Sequence, residues 1–125
     1  KITFDPDAGV PVASNLTIYG GTDFNTTFNV VDVANAGYGF TAGWGVSSQM
    51  IKSSGIGATT VPTATFNAGI NTITKSITLN LPKANTGLIT EGRYEYNVLV
   101  SSGVGTVYNI VNGNILVYSG ISSAP

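Results

Sequence analysis

The chain has neither cysteine nor histidine among its 125 residues. Without cysteine there is no disulfide framework, no thiol nucleophile and no thiolate-held zinc or iron-sulfur centre, and the redox compartment stays open. Without histidine the usual general base near neutral pH and the commonest transition-metal ligand are gone. Charge is scarce as well. Five basic and six acidic residues make up 9% of the chain and give a net charge of −1, against roughly 25% charged residues in an average globular domain. Five scattered cations cannot neutralise a run of phosphates, so nucleic acid is not expected as a partner. Mean hydropathy is +0.25, yet no apolar stretch approaches the roughly 18 residues of a membrane-spanning helix, and no basic amphipathic helix offers itself to a bilayer surface. A surface this poor in charge is expected to be partly covered by neighbours in an assembly.

What is present is β-structure. The length suits one domain with a single core. Gly, Thr, Asn, Val and Ile dominate, and no segment has a helical period. The strongest pattern runs from Leu88 to Ser119. Tyr94, Tyr96, Val98 and Val100 occupy alternate positions against Arg93, Glu95 and Asn97, which predicts a strand with one apolar face. A β-branched run from Thr106 to Val111 follows, and Asn112-Gly113 then reads as a two-residue hairpin turn before a return strand over Asn114 to Ser119. Ile115 and Val117 lie on one parity and Tyr108, Ile110, Leu116 and Tyr118 on the other, so that hairpin is apolar on both, which suggests that another chain covers one face.

Earlier strands are predicted at Asn15 to Tyr19, Asp23 to Val30 and Trp44 to Lys52, with Val31 to Gly43 as a loop and a turn at Ser53 to Gly57. A further strand over Thr60 to Asn67 is confined to an edge or bulge by Pro62. Another spans Asn71 to Leu81, with Ile73 on its apolar face and Lys75 as an edge charge. Lys1 to Ser14, with Pro6 and Pro11, reads as an extended N-terminal arm outside the core and lacks the features of a signal peptide. Residues 15–120 then form the domain and 121–125 a short tail. Seven to eight short strands at spacings of about ten residues predict an all-β, antiparallel sandwich. Its core is expected to hold Phe24, Phe28, Trp44, Phe66, Ile77, Leu79, Tyr96, Val98 and Val117, with Trp44 as the largest anchor.

With the strands placed, NLTIYGGTDFNTTFNV (Asn15 to Val30), LITEGRYEYNVLV and TVYNIVNGNILVYSGIS together resemble small immunoglobulin-like β-sandwich proteins of tailed bacteriophage virions. These include N-terminal modules of baseplate and tail proteins and short virion proteins of marine and cyanobacterial phages. The shared features cover about half of the chain: a Gly-Gly turn before an aromatic strand, Gly92-Arg93-Tyr94 with Tyr96, and a closing Val111 to Val117 hairpin with one glycine before the last strand. Asn97 departs from the pattern, since the family often has an acidic residue there. The resemblance implies a virion structural component without catalytic activity, in contact with other virion proteins and with copies of itself. Because the chain stops at Pro125 without a coiled coil or receptor-binding part, an accessory or decoration role on capsid or tail is favoured over a baseplate module.

No residue constellation argues for chemistry. Asp5 and Asp7 resemble the start of a calcium loop, but the downstream bidentate acid is missing and the next acid is Asp23; a solvated arm with turn-capping aspartates is the reading preferred here. Glu91 and Glu95 are the one pair to weigh for glycoside hydrolysis, and Glu95 falls on the outward parity with Arg93 between the two acids. Serine nucleophiles would need Lys52 or Lys75 as base, without a companion motif. Asn15 and Asn25 head glycosylation sequons that matter only in a eukaryotic secreted protein. The expectation is therefore no catalytic residue, no cofactor and no metal. The competing expectation is a secreted carbohydrate-binding module, which would leave two or three coplanar aromatics exposed.

Overall fold

Alternating apolar and polar side chains lay down ten strands and one helical turn among the described residues, 2–7, 10–52 and 63–118, of the computed structural model. One sheet holds β1 (Ile2–Thr3), β4 (Phe24–Val31), β8 (Ser76–Leu81) and β7 (Asn67–Asn71) in that spatial order. The other holds β2 (Val12–Ala13), β10 (Val107–Tyr118), β9 (Gly92–Ser101), β5 (Gly45–Lys52) and β6 (Ala64–Thr65), with β3 (Leu16–Tyr19) also pairing with β10. A short helix, α1 (Lys83–Thr86), connects β8 to β9.

This is an all-β sandwich, and its strand order is that of the immunoglobulin fold, A-B-E-D facing A′-G-F-C-C′. The tyrosine corner of that fold is present too. Tyr94, near the start of β9, is buried and donates its hydroxyl to the carbonyl of Thr90 at 2.5 Å. Tyr96 stands two residues on, where antibody domains carry the second cysteine of their inter-sheet disulfide. It packs in the core and donates to the carbonyl of Ser14 at 2.7 Å. Between the sheets lie Phe28, Val30, Met50, Ile77, Leu79 and Val98, all buried. The chain crosses from one sheet to the other at Phe66, whose ring is buried while β6 pairs with β5 and β7 with β8.

Several expectations are corrected. The sheets are mixed rather than purely antiparallel, because β1, β2 and β3 all pair in parallel. Among the described residues the strands number ten rather than seven to eight, and three of them are two-residue pieces. Lys1 to Ser14 is not an arm lying outside the core. Ile2 and Phe4 are buried in it, the Phe4 amide donates to Val31, and the Ser14 amide donates to Asn112. The segment pairs first with one sheet and then with the other, which its two prolines hid by breaking any sustained period.

Asn112-Gly113 is not a turn. β10 runs unbroken through both residues, and Gly113 lies opposite Tyr96. Glycine is required there because a β-carbon would overlap the Ser14 carbonyl, where the N-terminal segment crosses the strand. The reversal before β10 is made at Ser102 to Thr106, with Gly105 at φ +91°. A β-bulge between Asn109 and Val111 then explains why the run is apolar on both parities. Tyr108 and Ile110 face inward before it, Val111, Ile115 and Val117 after it, so one core face takes residues of both parities.

Ile73 and Lys75 belong to the turn before β8. Ile73 is 87% exposed, and Lys75 has a left-handed φ of +55°. Of the expected core, Phe28, Phe66, Ile77, Leu79, Tyr96, Val98 and Val117 are buried, whereas Phe24 and Trp44 are only half-buried at its margin. The predicted turn at Ser53 to Gly57, the portion of the strand from Thr60 through Pro62, and the tail at 121–125 lie outside the described residues.

Candidate functional site

The outward face of the larger sheet is where unassigned chemistry collects. Strand register arranges its side chains in rows across the strands. The central row is Thr65, Gln49, Asn97 and Asn112, on β6, β5, β9 and β10. Ile51, Glu95 and Asn114 form the row on one side, and Ser47, Leu99 and Asn109 the row on the other. Within the central row the Gln49 amide donates to Thr65 Oγ1 at 3.3 Å. A shallow polar depression lies between β9 and β10, lined by Glu95, Asn97, Asn112 and Asn114 among others.

The two ends of the face differ. At one, Tyr19 and Tyr118 are directly paired across β3 and β10, and their rings stack with centroids 5.6 Å apart and planes 22° apart. They are 59% and 44% exposed, and neighbouring Leu116 is 39% exposed. At the other end, Gly45, Ser47, Leu99, Ser101 and Val107 line a shallow, mainly apolar hollow. Small side chains there leave room that Leu99 alone does not fill.

A second aromatic group closes one end of the sandwich. Phe4, Tyr38, Phe40, Trp44 and Tyr108 pack with ring centroids 4.8 to 6.2 Å apart. Phe4 and Phe40 are buried while the other three are half-buried. Burial raises the Tyr38 phenol above its ordinary value, and the nearby Tyr108 and Asp7 add to the rise. This group is a hydrophobic cap rather than an open platform.

Asp5 accepts from the backbone amide of Asp7 at 3.0 Å, the turn-capping role. Among the described residues no group of three or more acidic, histidine or cysteine side chains is placed to hold a metal. Glu95 stands on the outer face beside Ile51 and Asn114, and Glu91 is exposed in the loop ahead of β9. Lys52 lies over the Tyr94 ring with its ammonium 5.1 Å from the centroid, and Lys75 donates to the carbonyl of Thr72 at 3.1 Å. The Asn15 side chain accepts from the amide of Asn114 at 3.1 Å, tying β3 to β10. Sequence reasoning missed the pairing of Tyr19 with Tyr118, since the parallel alignment of β3 on β10 leaves no local signal. Asn97 was legible as an outward position, but its neighbours across the strands, Gln49 and Asn112, were not.

No protein-family model matches the chain, and no curated protein matches it. Among solved structures it is similar to the Listeria monocytogenes internalin-like protein lmo2027, with 18% identity, a TM-score of 0.45, and coverage of 86% of this chain and 28% of that one. It is also similar to the bradyzoite-specific antigen BSR4 of Toxoplasma gondii, with 16% identity, a TM-score of 0.38, and coverage of 85% of this chain and 44% of that one. The chain thus spans less than half the length of either. Superpositions this loose carry no functional argument.

Proposed function

We propose that the chain is a non-enzymatic structural module of a bacteriophage virion, an accessory or decoration component that packs in multiple copies on capsid or tail. The observation that carries the reading is the outer face of the larger sheet, broad and nearly free of charge, with exposed Tyr19, Leu116 and Tyr118 at one end. Such a face can be covered by another protein at little desolvation cost, since hydroxyl and carboxamide groups exchange water for protein partners where buried charges would not. The segmental resemblance of Asn15 to Val30 and of the Gly92 to Tyr118 strands to phage virion modules supplies the setting. Mass spectrometry of purified particles is the test. Detection in stoichiometric copy number is the expected result, and absence from particles of a phage that encodes the chain overturns it.

The stacked, exposed Tyr19 and Tyr118 beside outward carboxamides favour one second reading, a module that binds neutral carbohydrate. A glycan array decides it: binding that is lost in Tyr118→Ala supports a sugar site, and an array without signal removes it.

A further inference from the structure

The end of the sandwich closed by the aromatic group also holds a small cavity whose walls are chemically mixed. Phe4, Asp5, Val10, Val107, Tyr108 and Asn109 line about 120 Å³, room for a few water molecules or for one long side chain. The aromatic wall is held in place: the Tyr108 ring meets Phe4 edge-on with centroids 5.3 Å apart and stacks with Trp44 at 6.2 Å. The carboxylate has spare capacity. Asp5 accepts from the Asp7 amide through a single oxygen, and among the described residues neither aspartate is paired with a cation. Asp7 adds to the negative potential on that side: burial first, then Tyr108 and Asp7, hold the Tyr38 phenol above its ordinary value.

These walls select by exclusion. Two carboxylates repel an anion. A hard divalent cation wants several converging oxygen ligands, and among the described residues no group of three acidic, histidine or cysteine side chains is placed to supply them. A cation on an aliphatic stem satisfies every wall. The carboxylate and the ring both attract its charge, the Asn109 carboxamide can accept from its N–H groups, and its methylenes pack against Val10 and Val107. The mouth of the cavity decides whether such a cation is free or carried by a protein. Val10 is 74% exposed, Val107 60%, and Val104 in the adjoining turn 89%. These aliphatic groups gain only from further apolar surface, which a partner protein supplies and a free polyamine, charged along its length, does not.

We infer that this cavity receives a lysine or arginine side chain of a partner protein, with the charge against Asp5 and Tyr108 and the stem against Val10 and Val107. The inference stands on the cavity and does not depend on the virion setting. The test is an NMR titration of the isotope-labelled chain with Nα-acetyl-lysine amide, Nα-acetyl-arginine amide and Nα-acetyl-norleucine amide, the last an uncharged stem. The two cationic probes are expected to shift the amides of Asp5, Tyr108 and Asn109 with a Kd of about 1 mM, ordinary for ligands of this size, and norleucine is expected to shift none. Asp5→Asn keeps an acceptor for the Asp7 amide and is expected to weaken binding at least tenfold. Asp32→Asn, which removes the same charge from a different turn, is expected to leave binding unchanged. Norleucine binding as tightly as lysine, equal losses in the two variants, or no shift with the cationic probes at about 20 mM overturns the inference. Spermidine binding more tightly than either amide overturns it in favour of a free polyamine. The virion reading fails separately: particles that lack the chain refute the setting and leave the titration untouched.

Discussion

At the scale of single residues, the side chains that fix this fold do so through contacts between segments far apart in sequence. Gly113 is the sharpest case. A β-carbon there would overlap the Ser14 carbonyl, the same oxygen that receives the Tyr96 hydroxyl. Gly113→Ala must therefore displace the N-terminal segment and strand a buried phenol, and a loss of about 3 kcal/mol or more is expected in denaturant unfolding. A change below about 1 kcal/mol would show that the crossing at Ser14 is loose. Tyr94→Phe removes only the corner hydrogen bond to Thr90 while keeping the ring, and about 1 kcal/mol is expected by the same measurement. Trp44→Ala, at the half-buried edge of the aromatic cap, is expected to cost less than Phe66→Ala, for which about 3 to 5 kcal/mol is typical of a buried aromatic. An equal loss at both positions would place the indole in the core after all.

At the scale of elements, the strands with clean alternation were legible in the sequence, and those held by a distant partner were not. Tyr94 to Val100 showed its inner face directly, and all four residues of that expected apolar face, Tyr94, Tyr96, Val98 and Val100, are buried. β4 and β5 begin and end within a residue or two of their predicted limits. The misreadings share a cause. Asn112-Gly113 satisfies the local rule for a hairpin, but its glycine answers to a backbone ninety-nine residues earlier, at Ser14. The N-terminal strands have two residues each, too few to show any period, and they hold their place through long-range pairing. The outer face was half legible: outward parity is local, whereas the row that joins Gln49, Asn97 and Asn112 exists only once three strands are in register. A truncation follows from this at the same scale. Deleting residues 1–14 removes Ile2 and Phe4 from the core, takes the β2 partner from Val111 and Asn112 of β10, and removes the acceptor of Tyr96. The truncated chain is expected to melt well below the intact one or to remain unfolded; an unchanged Tm would restore these residues to the role of a free arm.

For the whole molecule, the alkaline limb of stability can be argued from the structure. Burial raises the phenols of Tyr94 and Tyr96 above the ordinary tyrosine value, the hydrogen bond to Ser14 opposing the rise at Tyr96, and Tyr38 moves in the same direction. In the unfolded chain these phenols ionise at about pH 10. Above that pH the folded state holds more protons than the unfolded one, so stability falls as pH rises. Their contribution is complete below about pH 10 and is lost as the pH climbs through the raised folded values. The hydroxyl protons of Tyr94 and Tyr96 are the ones donated to Thr90 and Ser14, so ionisation removes the corner bond and the bond to the N-terminal segment and leaves phenolates facing carbonyl oxygens. The chain is therefore expected to unfold cooperatively above pH 10, with a late group of tyrosines ionising in the same transition. Absorbance at the phenolate band and circular dichroism, followed together, test this. If all six tyrosines titrate near pH 10 while the sheet signal stays intact, the buried hydroxyls do not hold the corner and the N-terminal crossing as the structure implies. Double replacement of Tyr94 and Tyr96 by Phe separates the cause: the alkaline transition should move to higher pH even though stability at neutral pH is reduced.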